Sequence, residues 1–419
     1  MNRVKIAVVG AGVAGLAVAV GCEAAGHDVT LYEAKPHIGG RMETVEVAGH
    51  PLDVGFHVLH TAYPTVKRWL NVQRLEAKAM DNCTVTIHPS TGRKRLLGDA
   101  LKKPRYLLPT LKSVGVGDGF RFFKWRMGTK ASDLERALDR PSSTIAVGLR
   151  ERRFQRSTRR VLEPLFAGIT LDPTLSERFA FADFTWGAMS HGDMVVPKGG
   201  IAAVPQQLRE RLTSTKVRLN TAITSVTSTS VTTPTGTEDY ERVVLAVPQH
   251  VTATLLPASV PPHSPVERIT STVVFQTPRP PFKHARLLLN EQWGEDGRSV
   301  LHVHLPTNLH PHPQGHHWVV ATLVGDPARK PDVDAVRNEL VEWFGSQVRQ
   351  WDHVAGTTVR HALPHLDPEH HERRLAEVEV DGVVLVGDHR AHPSVQGALA
   401  SAERALEHLG VPLPGEVLA

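Results

Sequence analysis

Residues 5–9, Lys5-Ile-Ala-Val-Val9, form a nearly continuous apolar run with no alternation of polar positions. Such a run predicts a buried strand. An alanine-rich segment of helical character follows. A second strand-like run, Asp28-Val-Thr-Leu-Tyr32, comes after it. From about residue 70 to 175 the pattern is mainly helical, broken by Pro104, Pro109, Pro141 and Pro164. Ile201, Val204, Leu208 and Leu212 then share one face of an amphipathic helix. Short strands with turn signals are expected at 217–219, 223–226 and 230–233, and a buried one at 243–247, stopped by Pro248. Strand-like segments recur at 273–276, 300–304 and 318–324. A last apolar run, Val383-Val-Leu-Val386, precedes a helix from about 395 to 409.

The join between the first strand and helix carries Gly10-x-Gly12-x-x-Gly15, and the second strand runs into Glu33. Strand, glycine turn, helix, strand and carboxylate, in that order, make the dinucleotide-binding fingerprint. Gly10 makes the turn, Gly12 lets a pyrophosphate approach the backbone, and Gly15 lets the helix pack on the strand. Phosphates would lie at the helix N-terminus, beside Val13 and Ala14. Glu33 can accept hydrogen bonds from both ribose hydroxyls, and its charge disfavours a 2′-phosphate, which argues against NADP. Gly115-Val-Gly117-Asp-Gly119 lacks both the spacing and a preceding strand, so one dinucleotide is expected. The layout predicts an α/β fold: a Rossmann-like nucleotide domain, discontinuous in sequence (1–90, 195–255 and 375–419), with an interleaved α+β substrate domain (91–194 and 256–374).

Composition narrows this further. The 419 residues allow two or three domains, and 41% apolar with 22% charged residues is the balance of a soluble globular protein. No run of about 18 apolar residues predicts a spanning helix. Residues 6–22 are mostly apolar, but the glycines and the missing cleavage site argue against a signal peptide. Cys22 and Cys83 show neither metal nor disulfide-framework spacing. The expected location is therefore cytoplasmic. A net charge of +5 does not by itself imply nucleic acid as a partner. Histidine is frequent, at 24 residues, clustered at 302, 304, 310, 312, 316 and 317 and again at 361, 365, 370 and 371. These lie among prolines in polar stretches without partner cysteines. Surface histidines are expected there, and no metal site.

The set Gly10 to Gly15, Glu33, Gly39-Gly40-Arg41, Asp53-x-Gly55-Phe56-His57, Lys198-Gly-Gly200, Val243 to Pro248, and Gly387-Asp388 with Gln396-Gly-Ala398 resembles the flavin-containing amine oxidase and phytoene desaturase superfamily, which includes protoporphyrinogen oxidase. The resemblance implies non-covalent FAD. It places Gly40 and Arg41 by the pyrophosphate, where a guanidinium makes bidentate contacts. It runs Gly55, Phe56 and His57 beside the isoalloxazine ring and sets the Val226 backbone at the adenine end. Gly387-Asp388 would close on the ribityl chain, and a helix beginning at Val395-Gln396 would face the flavin's pyrimidine edge. His57 is the candidate catalytic group, able to move a proton or position the flavin. A histidine bonded to backbone is its plainer reading.

The implied activity is hydride removal from a C–H bond to the flavin, with reoxidation by oxygen or a quinone. The stretch Gly387-Asp-His-Arg-Ala-His-Pro393 lacks the aromatic residue common in amine oxidases, which favours an apolar substrate, an isoprenoid among the candidates. An amine oxidase, a redox-neutral flavin-dependent isomerase and a non-catalytic flavin scaffold remain alternatives. Residues 93–130 carry eleven Lys or Arg against Asp99 and Asp118, interleaved with apolar groups. This suits peripheral contact with a membrane surface, or simply a solvated basic face.

Overall fold

The computed structural model describes residues 3–256, 268–365 and 377–413. Two large sheets organise them. The first has six strands in the order Lys216–Arg218, Asp28–Tyr32, Lys5–Val9, Arg242–Leu245, Val383–Leu385 and Glu379–Val380. Its first five strands run parallel, and the last is antiparallel at the edge. The central strands are fully apolar inward, because helices cover the sheet. Val13–Ala24 packs against Val395–His408 and Ala203–Arg209 in one apolar cluster with Ile6, Val8, Val244 and Val384. This is the Rossmann-like, sequence-discontinuous α/β unit anticipated above.

The second sheet has seven strands, ordered Asp352–Leu363, Arg268–Thr277, His317–Val324, Val300–His304, Leu288–Asn290, Cys83–His88 and Arg93–Gly98. One face buries Val273, Phe275, Val319, Ala321 and Val303 with Val336, Leu340 and Trp343 of the helix Val333–Phe344. A helical layer of Leu107–Gly128, Ile145–Glu151, Arg156–Thr170 and Phe179–His191 forms a third core.

Two expectations need correction. The stretch from 70 to 175 is not mainly helical at its start, because Cys83–His88 and Arg93–Gly98 pair as an antiparallel hairpin. Cys83–His88 also pairs in parallel with Leu288–Asn290, which joins it to the seven-stranded sheet. Nor do all the prolines break helices. Pro109 is the third residue of its helix, where a missing N–H costs nothing, and Pro164 lies buried inside Arg156–Thr170. The glycines near 115 form no nucleotide loop; Gly115, at φ 80°, kinks the helix Leu107–Gly128.

Candidate functional site

The glycine turn is built by contact. Gly10 has φ 104°, and a Cβ there would stand 2.5 Å from the Ala246 carbonyl oxygen. A Cβ on Gly15 would stand 2.0 Å from the Gly10 carbonyl oxygen. Gly12 differs, because a Cβ there would meet nothing within 4 Å. It faces open space at the start of the helix Val13–Ala24, which no side chain caps. The N–H groups of Val13 and Ala14 therefore lack helical acceptors and are free for an anion. Glu33, only 9% exposed, ends the second strand beside this turn. Its Oε2 accepts from the Ala11 N–H at 2.9 Å and its Oε1 from the Lys35 N–H at 2.9 Å.

The later motifs converge on the same place. The Gly39 N–H donates to the Ala11 carbonyl at 2.8 Å, and a Cβ on Gly40 would lie 3.3 Å from the Gly12 Cα. Arg41 donates from Nη2 to Asp388 Oδ1 at 2.6 Å and from Nη1 to the Ala362 carbonyl at 3.0 Å. Two motifs far apart in sequence thus meet as a salt bridge, with the Asp388 side chain buried. The Gly387 N–H is held by Ser401 Oγ at 2.9 Å. Val226 lies buried in a small three-stranded sheet and shares an apolar cluster with Tyr32, the residue before Glu33.

Val395 opens the helix Val395–His408, capped by Ser394 Oγ accepting from the Gly397 N–H at 3.1 Å. Gln396 is fully buried and committed. Its Oε1 accepts from Thr65 N–H and Oγ1 at 2.9 and 2.7 Å, and its Nε2 donates to Glu135 at 2.9 Å. Its side chain is a strut between helices, so only the helix terminus remains to face a ligand.

Asp53 anchors the loop 53–57. Its Oδ1 accepts from Thr44 Oγ1 at 2.7 Å and from the Ile201 N–H at 2.8 Å, and a Cβ on Gly200 would sit 2.5 Å from that oxygen. This is the physical reason for glycine in Lys198-Gly-Gly200. Burial pushes the Asp53 carboxyl up, against opposing effects of His57 and these hydrogen bonds. Gly55 turns at φ 99°, and His57 Nε2 lies 3.1 Å from the Val54 carbonyl. His57 is thus tied to backbone within its own loop. Phe56 packs edge-on against His302 and His304, with ring centroids 5.0 and 4.6 Å apart.

The expectation of surface histidines is overturned at His302 and His312. His302 and His304 lie on the strand Val300–His304, His302 is 3% exposed, and His312 is likewise buried. Burial drives His302 down to about 3 and holds His304 well below its ordinary value. The spacing of 302 and 304 by two, inside a strand-like run, was the available signal. His302 Nδ1 and the opposing Thr322 Oγ1 are buried without hydrogen-bond partners. His370 and His371 lie outside the described residues. Among the described residues, no three His, Cys, Asp or Glu converge as a metal site.

Loop 53–57, segment 196–200 and residues 304–310 line a partly open cavity of about 50 Å³. Its wall includes Leu52, Phe56, Met80, Val196, Leu305, Leu309 and Val320 together with His57 and His304. An open, uncapped helix start under two glycines, a carboxylate at the adjoining strand end, and an apolar cavity beside Gly55 fit a bound flavin dinucleotide.

Known proteins agree with this geometry. The family profile described as flavin containing amine oxidoreductase matches residues 13–408. Zeta-carotene desaturase of Zea mays is 34% identical over 90 residues, which is 21% of this chain and 15% of that protein. This chain's match therefore spans a small part of that relative. Among solved structures, putrescine oxidase bound to putrescine superposes with TM-score 0.66 at 17% identity, covering 98% of this chain and 100% of that one. A CLA-producing fatty acid isomerase from P. acnes superposes with TM-score 0.67 at 14% identity, covering 97% of this chain and 98% of that one. The profile match over nearly the whole chain shows that the chain belongs to the flavin-containing amine oxidoreductase family.

Proposed function

We propose that the protein binds FAD non-covalently and removes a hydride from a C–H bond of an apolar substrate, an isoprenoid among the candidates, with oxygen or a quinone as final acceptor. The observation that carries this reading is the largely apolar cavity beside Gly55, Phe56 and His57. FAD, when bound, supplies the hydride acceptor. The chain supplies the rest. The helix start at Gly12 would receive the pyrophosphate, and Glu33 the ribose hydroxyls. Arg41 and Asp388 would work as a pair, with the guanidinium toward phosphate and the carboxylate toward ribityl hydroxyls. The cavity walls exclude water, and His57 positions the loop that borders the reacting carbon. No tyrosine or tryptophan is found among the cavity's wall residues, which disfavours an amine guided between rings.

Purified protein should carry the yellow absorption of oxidised flavin, bleached under anaerobic conditions by an apolar alkene or alkane substrate. A protein that neither retains nor takes up FAD overturns the reading. A product isomer formed without consumption of acceptor replaces it with isomerisation.

The reading includes delivery from a lipid surface. Val116, Phe120, Phe123 and Met127 are 49–76% exposed and form one stripe of the helix Leu107–Gly128, and Leu101, Leu107 and Leu108 are exposed as well. Both acids of this basic region are engaged, Asp118 by Arg121 and Asp99 by Arg126. Apolar groups ringed by cations suit an anionic interface. No helix among the described residues is long and apolar enough to cross a membrane. The protein should float with anionic liposomes at low salt, and Phe120→Gln with Phe123→Gln should abolish flotation while leaving the melting temperature unchanged. Failure of the unaltered protein to float sinks this part.

A further inference from the structure

The apolar cavity contains a polar group, His304, that a hydrocarbon would leave unanswered. His304 lines the cavity, packed edge-on against Phe56. Its Nδ1 is enclosed by protein and has no hydrogen-bond partner, whereas Nε2 is the ring nitrogen left open. Of the other imidazoles in the lining, His57 Nε2 is bonded to Val54 O at 3.1 Å and His310 Nε2 to Val196 O at 2.9 Å, while His50 is buried against the rings of His312 and Trp318.

The tautomer follows from the cost of burying each form. A neutral imidazole carries one N–H and one bare nitrogen. A buried N–H without an acceptor is the rarer and costlier orphan. The bare nitrogen therefore belongs at Nδ1, and the N–H at Nε2, facing the cavity. Burial holds the ring neutral. The permanent cations of the lining are already matched, Lys198 by Glu76 at 2.6 Å and Arg286 by Asp81 at 2.7 Å. A carboxylate entering here would find no free cation, while a neutral oxygen would find a donor.

We propose that the substrate is an apolar chain bearing a neutral oxygen, a hydroxyl or carbonyl, which accepts a hydrogen bond from His304 Nε2, and that His304 is thereby a specificity-determining residue. This rests on the hydride-transfer reading above and narrows its substrate class. Filling the cavity with hydrocarbon alone would strip the N–H of water and return nothing.

The test uses the flavin-loaded protein and three probes of equal chain length: decane, 1-decanol and decanoate. Binding is followed by calorimetry, after flavin content has been confirmed by absorption. The expected result is 1-decanol bound about tenfold more tightly than decane, the scale of one buried neutral hydrogen bond. That preference should vanish in His304→Phe and return in His304→Gln, whose amide can donate. Equal affinity for decane and 1-decanol overturns the proposal, and so does a preference for decanoate. A preference that survives His304→Phe overturns it as well. If FAD loading of the apoprotein alone moves the 15N signals of His304 and removes the decanol preference, the donor serves the cofactor and the proposal falls. Absence of flavin from the protein would instead sink the functional reading, so the two failures are told apart.

Discussion

Single residues decide whether the nucleotide site exists. Gly12→Ala puts a methyl group into open space, exactly where phosphate oxygens would approach. Gly15→Ala drives it into the Gly10 carbonyl. The first variant should melt within about 0.5 kcal/mol of the parent yet retain little flavin, since surface changes away from contacts cost that little. The second should lose flavin and also about 1–3 kcal/mol of stability, the usual cost of overpacking. Denaturant melts with flavin absorption separate them; equal destabilisation by both would contradict the geometry. These glycines, Glu33 and Arg41 were legible because each answers to a short-range rule about turns, charge and close approach. The buried state of His302 and the partner of Asp53 were not, because both depend on which surface a distant strand or loop comes to cover.

Elements are coupled where small residues let them touch. A Cβ on Gly21 would sit 2.5 and 2.7 Å from the two terminal carbons of Leu406, so the first helix and the helix Val395–His408 approach through this gap. Gly21→Val should cost about 1–3 kcal/mol, and pairing it with Leu406→Ala should recover part of that loss. Additive losses in the double variant would show that the helices do not meet there. Gln396 acts at the same level. Replacing it with Leu removes the acceptor from Thr65 N–H and Oγ1, and should cost about 1–3 kcal/mol for the donors left buried. A melt unchanged by the substitution would remove its role as a strut. The helices and parallel strands of the nucleotide unit announced themselves by periodicity. The hairpin Cys83–His88 with Arg93–Gly98 was missed although Cys83, Val85 and Ile87 alternate with Thr84, Thr86 and His88; its second strand opens on Arg93-Lys-Arg95 and gives no such pattern.

The whole molecule carries an acid sensitivity. Burial lowers His60 to about 4 and His302 to about 3, from an ordinary value of 6.5. Both are neutral in the folded state, while the unfolded chain takes up protons as pH falls below about 6.5. The unfolded state then binds more protons, so stability falls as pH drops from about 6.5 toward 4 and is level above that window. Thermal melts at pH 7 and pH 5 should show the drop, and His60→Asn should flatten it; a melting temperature that rises on acidification would contradict the assignment. The six-stranded sheet has a consequence of another kind. The strand Lys5–Val9 lies between Asp28–Tyr32 and Arg242–Leu245, and the latter in turn pairs with Val383–Leu385. At roughly 5–20 residues per second of synthesis, the opening βαβ unit waits on the order of ten seconds or more for its next neighbour, and longer for the Arg41–Asp388 bridge to close. During translation, the glycine turn is made before its partner strands and completed only after them, with an apolar strand edge open on the ribosome in between.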